Sequence, residues 1–266
     1  MLLTVDIGNT QIALGLFEED KLLFVSRMAT QPDNTRDQYA VAIKNLLGLY
    51  GYGKNDITGA AVSSVVPAVG YNLSRAIAFL CCVSPIVVSS GTETGMTLRI
   101  DDPTQLGTDM IAGAVAAKAK YPLPAAIFDF GTATKVSVLD SDGAFLGCAI
   151  TAGIHMSIEA LSKHTAVLPS IVARVQDRVI GTNTVDSMRS GLLFGSASFI
   201  DGMSERIETE LGQPVTVIVT GGASPLLQGQ TLRPAFFDST LLLDGLRRIF
   251  EMNQIIITTT TTNPER

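Results

Sequence analysis

LTVDIGNTQIALGLF, residues 3–17, is the stretch from which the fold can be read. An apolar run ends in Asp6, a Gly8-Asn9-Thr10 turn follows, and Ile12, Leu14 and Leu16 then alternate with Gln11, Ala13 and Gly15. That alternation is the period of a half-buried strand. A carboxylate at the end of a buried strand is costly without a partner, so Asp6 and its turn mark a place where something is held. The acidic turn EED (18–20) and the run KLLFVSR (21–27) complete a three-stranded meander.

The same grammar returns in AAIFDFGTATKVSVLD (125–140). An apolar run ends in Asp129, the turn Phe-Gly-Thr-Ala-Thr follows, Val136 and Val138 alternate, and SDG (141–143) leads into AFLGCAI (144–150). Asp129 follows Asp6 by 123 positions (129 − 6), and the third strands start the same distance apart (144 − 21). Two meanders in one register indicate an internal duplication. In the first half, residues 35–51 carry helical spacing at Tyr39, Ala42, Ile43, Leu46 and Leu47. GAAVSSVVP (59–67) and PIVVSS (85–90) read as buried parallel-type strands around a helix over 68–80. Prolines in AKYPLP (119–124) set the lobe boundary. The expected architecture is α/β, with duplicated lobes that each open with a three-stranded β-meander and face a cleft. The N-terminal lobe is expected over 1–120 and the C-terminal lobe over 121–254. The threonine-rich tail 255–266 is expected to be disordered.

Composition narrows the class. The 266 residues are 46% hydrophobic, with net charge −6 and pI near 4.9, and show no basic stripe of the kind that binds nucleic acid. Cys81, Cys82 and Cys148 lack metal-ligand spacing and read as reduced core thiols. The N-terminus has neither the basic region nor the cleavage site of a signal peptide, and the apolar run 76–88 is too short to span a bilayer. A soluble, cytoplasmic protein is expected.

Four motifs carry chemistry. The backbone of the turn at Gly8, with Asn9 and Thr10, can cradle phosphate oxygens, and Gly8 is expected to take a positive φ. The turn joins strand to strand, unlike a Walker A loop. The second turn offers Thr132 and Thr134 in the same manner. Carboxylates beside phosphates make sense where a cation lies between them, so Asp6 and Asp129 read as cation holders. A single such Asp, taken alone, reads as a turn cap. VTVIVTGGAS (215–224) delivers Thr220-Gly221-Gly222 at the carboxyl end of a buried strand, which fits a strand-to-helix turn or room for a ring or ribose. Asp109, in PTQLGTDMIAGAVAAKAK (103–120), reads as a helix N-cap just ahead of the helix or as a general base toward a hydroxyl.

DIGNTQIA (6–13), PTQLGTD (103–109), DFGTATK (129–135), ALSKHTAVLP (160–169), GTNTVDSMRSGLLFG (181–195) and VIVTGGAS (217–224) together resemble the type III pantothenate kinases, of the actin/hexokinase/Hsp70-like ATPase superfamily with its ribonuclease-H-like lobes. The resemblance implies transfer of the γ-phosphoryl of ATP to pantothenate, the opening step of coenzyme A synthesis, by a homodimer. It also implies a divalent cation such as Mg2+ and a monovalent one such as K+ or NH4+. It places ATP on Asp6, Ile7, Gly8, Asn9, Thr10, Gln11, Ile12, Ala13 and Thr132, with Gly221 and Gly222 on the adenosine side. Asp129 would hold the monovalent cation, and Asp6 the divalent one, through water. Asp109 would accept the proton, Gly107, Thr108, Asp109 and Met110 would line the acceptor pocket, and Thr184 would reach the substrate across the dimer interface. The apolar run over 186–207, with Met188, Leu192, Phe194 and Phe199, is a candidate dimer surface or, equally, a core helix.

The chain departs from the family pattern at Met110, where Arg is usual, at Gly113 (Asn), Ile100 (Tyr), Ala152 (Pro) and Lys135 (Thr). Lys135 reads as a solvated side chain and His164 as a core histidine, the other reading being that one of them supplies the positive charge missing at Met110. The departures leave two other functions open: a kinase for a different small alcohol, and a nucleotide-binding regulator without turnover.

Overall fold

The computed structural model describes the backbone of residues 1–261 and the side chains of 1–254. It comprises two compact units. Met1–Met96, Asp101–Ala116 and the C-terminal segment from Thr240 form the first, and Thr97–Ile100 with Ala117–Ser239 form the second.

In the first unit β1 (Leu2–Ile7), β2 (Gln11–Glu18) and β3 (Lys21–Ala29) form the meander. Beyond β1, β4 (Gly59–Ser64) and β5 (Ile86–Val87) add in parallel, which gives the order β3-β2-β1-β4-β5. Leu3, Val5 and Ile7 of β1 and Leu14 and Leu16 of β2 face one core. Against them pack Tyr39, Ile43 and Leu47 of α1 (Arg36–Leu49) and Leu73 and Ile77 of α2 (Pro67–Cys81). α1 begins at a capping box: Gln38 N–H donates to the Thr35 hydroxyl, and Thr35 N–H donates to the Gln38 side chain at 2.8 Å. α3 (Thr108–Lys120) follows.

The second unit repeats the plan. β6 (Ala125–Phe130), β7 (Ala133–Leu139) and β8 (Phe145–Ala152) form its meander. After α4 (Ile154–His164) and α5 (Thr184–Leu211), β9 (Thr216–Thr220) and β10 (Phe236–Phe237) add in parallel. The order β8-β7-β6-β9-β10 matches that of the first sheet strand for strand. The duplication read from the 123-residue offset is therefore an α/β duplication of whole sheets.

Finally α6 (Leu241–Thr261) packs on the first sheet. It covers the face opposite α1 and α2, because a Cβ on Gly15, whose neighbours Leu14 and Leu16 face the core, would lie 3.1 Å from Leu243 Cδ1.

Several expectations are corrected. The break expected at 120 misplaces α6, which belongs with the first unit. The helix also runs through 255–261, where disorder was expected; residues 262–266 lie outside the described residues. The strand expected over 85–90 shrinks to two residues. Cys82 and Cys148 are exposed rather than core thiols. In α5, Met188 is buried and Leu192, Phe194 and Phe199 pack against the core, with Phe199 edge-on to Phe128 at 6.2 Å. These side chains are used within the unit. Among the described residues no helix is long and apolar enough to cross a membrane.

Candidate functional site

Each central strand delivers its aspartate one residue before its end. Asp6 lies opposite Ala13 on β2 and Ser63 on β4. Asp129 lies opposite Lys135 on β7 and Thr220 on β9. Ser63 and Thr220 are buried hydroxyl residues, so the two arrangements match in kind as well as in place. They differ in turn length: Ile7 pairs with Ile12, but Phe130 pairs with Thr134, so the second turn is one residue shorter.

The first turn is closed by Gly8 N–H donating to the Gln11 carbonyl at 3.0 Å. Thr30, at the end of the meander, locks it from outside. Its hydroxyl donates to the Gly8 carbonyl at 2.7 Å and its N–H to the Thr10 carbonyl at 3.0 Å. Asn9, Thr10 and Gln11 are exposed, whereas Ile7 and Ile12 are buried and support the turn from the core. Gly8 does not take the expected positive φ; its requirement is space, since a Cβ would lie 3.1 Å from the Gln11 carbonyl oxygen.

At the second turn the positive φ belongs to Gly221, at +93°. A Cβ there would lie 2.5 Å from Asp129 Oδ1 and 2.6 Å from the Phe130 backbone, so only glycine fits. Ala223 N–H donates to the Phe130 carbonyl at 3.0 Å, which ties the 221–224 turn to the end of β6. Gly222 is exposed beside it. Gly153, at the start of α4, comes so close that a Cβ would lie 2.3 Å from the Thr132 carbonyl oxygen. The helix N-terminus therefore abuts the turn, a place suited to anions. Gly153 was not singled out in the sequence, although the ITAG stretch (150–153) was its visible signal.

Thr108 joins the PTQLGTD stretch (103–109) to the first sheet. Its hydroxyl is 3.0 Å from that of Ser63, the residue opposite Asp6, and it receives the Ser64 N–H at 3.2 Å. Asp109 comes next. It is buried, at 8% exposure, and Oδ1 accepts the Met110 N–H at 2.8 Å. It stands inside the first turn of α3 rather than ahead of it, so the N-cap role is corrected. A Cβ on Gly107 would lie 2.6 Å from Asp109 Oδ1 and 3.5 Å from Met110 Cε, so the carboxylate and the thioether both fold over that glycine. A Cβ on Gly113 would meet Leu242 of α6 at 3.7 Å, an ordinary contact, so this position faces α6. Ile100 is half-buried in the second unit, and Thr184 is exposed at the start of α5, behind the Asn183 cap.

Lys135 and His164 fall opposite to expectation. His164 is exposed at the end of α4. Lys135 is largely buried, with Nζ 3.0 Å from Asp129 Oδ2 and side-chain exposures of 17% and 16%. This bears on a monovalent cation at Asp129. An ion on that carboxylate would stand roughly 4 Å from the ammonium, a repulsion of about 4 kcal/mol at an effective dielectric near 20. The residues present do not fit a second cation there. At Asp6 the situation differs. Among the described residues no cluster of three or more His, Cys, Asp or Glu could hold a metal. A partly exposed carboxylate at the end of a strand suits Mg2+, which keeps its waters and takes its other ligands from substrate phosphates.

Comparison with known proteins accords with this geometry. The model of the family described as type III pantothenate kinase matches residues 2–206. The type III pantothenate kinase of Exiguobacterium sibiricum is 39% identical over 254 residues, covering 96% of this chain and 100% of that protein. That of Halalkalibacterium halodurans is 36% identical over 253 residues, covering 95% and 100%. Among solved structures, the activator of the 2-hydroxyisocaproyl-CoA dehydratase from Clostridium difficile, with bound ADPNP, superposes with a TM-score of 0.59 at 14% identity, covering 100% of this chain and 99% of that one. The ethanolamine utilization protein EutJ from Carboxydothermus hydrogenoformans gives 0.52 at 13%, covering 93% and 89%. At such identities these two likenesses speak for the fold alone.

Proposed function

We propose that this chain, which belongs to the type III pantothenate kinase family, transfers the γ-phosphoryl group of ATP to the primary hydroxyl of pantothenate, the first step of coenzyme A biosynthesis. The observation that carries the reading is the doubled arrangement: in each sheet an aspartate one residue before the end of the central strand, a buried hydroxyl residue on its parallel neighbour, and a glycine-containing turn beyond. Phosphoryl transfer needs positioning and charge neutralisation more than covalent help.

In this mechanism the backbone of 6–13 and Thr132 hold the phosphates of ATP, and Gly221 and Gly222 leave room for the adenosine. Asp6 would hold a divalent cation such as Mg2+ through water, and that cation would supply charge neutralisation at the phosphoryl oxygens. Asp109 orients the acceptor hydroxyl and takes its proton, a contribution of roughly 10²–10⁴ in rate. Gly107, Thr108 and Met110 line the acceptor side. Thr108 supports Asp109 because it is itself pinned to the end of β4. Thr184 would contact the substrate from a second copy in a homodimer, and a cytoplasmic setting completes the reading.

The test is ADP release with and without pantothenate. Release stimulated by pantothenate is the expected outcome, and Asp109→Asn is expected to lower kcat by at least about 10² while ATP still binds. Met110 places a thioether where the family usually has Arg. Stimulation by a less polar alcohol in preference to pantothenate would therefore move the reading to another acceptor. Nucleotide binding with no turnover for any acceptor would leave a regulator.

A further inference from the structure

The pair of Asp129 with Lys135 reaches beyond sheet stability. We infer that Lys135 is the built-in counter-charge of the second turn. Its ammonium takes the place at Asp129 that a free monovalent cation would fill, so phosphoryl transfer runs without K+ or NH4+. This rests on the kinase reading above.

Three observations carry it. The register sets the two residues directly opposite one another at the turn end of the hairpin, beside Thr134 and Thr132. The contact is short, 3.0 Å, and about five-sixths of each side chain is withdrawn from solvent. A surface ion pair of long side chains lacks that enclosure. Asp129 also packs closely on its other side: Oδ1 lies 2.5 Å from where a Cβ on Gly221 would stand, so the 221 turn approaches the carboxylate there. The first unit provides the internal contrast. There the residue opposite Asp6 is Ala13, which carries no charge. The matched hairpin of the first unit thus carries a neutral residue at the register position that Lys135 occupies in the second. An ammonium on a flexible stem is a compact point charge with three donors, well suited to standing in for a monovalent ion beside a carboxylate.

The test uses the full chain. Pantothenate-dependent ADP release is measured in tetramethylammonium chloride, KCl and NH4Cl at equal ionic strength, for the unaltered protein, Lys135→Ala and Lys135→Met. The unaltered protein is expected to turn over equally, within about twofold, in all three salts. Each variant is expected to lose at least tenfold in tetramethylammonium and to recover in K+ or NH4+. An ordinary cross-strand ion pair would give variants whose activity ignores the identity of the salt, and that result overturns the inference. So does tenfold activation of the unaltered protein by K+, or variants that stay folded by circular dichroism yet are inactive in every salt. If neither variant folds, the comparison of salts on the unaltered protein decides alone. If no salt supports turnover, the kinase reading fails. Calorimetric affinity for a non-hydrolysable ATP analogue then settles this point: equal affinity in the three salts supports it, and a tenfold gain in K+ removes it.

Discussion

At the scale of single residues, glycines do different jobs at the two turns, and substitution separates them. Gly221 combines φ +93° with a would-be Cβ 2.5 Å from Asp129 Oδ1. An alanine there suffers left-handed strain of roughly 1–2 kcal/mol and an overpacking cost of about 1–3 kcal/mol. Gly221→Ala is therefore expected to lower unfolding stability by at least about 2 kcal/mol in urea titration and to weaken binding of an ATP analogue. Gly8→Ala meets only the Gln11 carbonyl oxygen, at 3.1 Å, with no φ penalty, and is expected to cost under about 1 kcal/mol. The sequence displays both glycines but reverses the backbone requirement. The need for positive φ at Gly221 comes from the chain doubling back on β6, a contact between segments some 90 residues apart (221 − 130). Lys135 was obscured for the same kind of reason. Its type suggests solvent, and only the pairing register places it against Asp129.

At the scale of elements, strands and helices were legible wherever one face is apolar at a fixed period, as in β2 with Ile12, Leu14 and Leu16 or α1 with Tyr39, Ile43 and Leu47. What periodicity does not contain is which sheet a helix chooses. α6 follows the second sheet in the chain yet packs on the first, and small residues make that docking close. A Cβ on Gly245 would lie 1.9 Å from the Ala112 carbonyl oxygen of α3, and one on Gly59 of β4 would lie 2.3 Å from Phe250. In an exposed helix, Gly→Ala gains about 1 kcal/mol from propensity. Here the sign is expected to reverse. Gly245→Ala should destabilise by about 2–4 kcal/mol, the overpacking cost being dominant because the obstruction is backbone that cannot rotate away. A thermal melt that rises by a few degrees would contradict the packing of α6 on α3. Because α3 also carries Thr108 and Asp109, the variant that survives folding should lose kcat before it loses ATP affinity.

At the scale of the whole molecule, the 123-residue offset revealed the duplication because the Asp-containing strands and the third strands kept their spacing. It did not reveal the one-residue difference in turn length, which alternation on either side absorbs. Net charge acts at this scale too. A chain of charge −6 repels ATP at long range, whereas on the proposed reading the turns and a divalent cation would attract it at short range. Raising salt from about 10 mM to about 150 mM shortens the Debye length from about 30 Å to about 8 Å, which screens the first effect and leaves the second largely in place. The expected result is a rise of roughly two- to fivefold in kcat/KM for MgATP across that range, carried by KM with kcat unchanged. Tetramethylammonium chloride and KCl should trace the same curve, because only ionic strength matters once Lys135 neutralises Asp129. A fall in kcat/KM with salt would mean that a local positive field outweighs the net charge. Curves that separate by salt identity would mean that an ion binds specifically, against the pairing at the second turn.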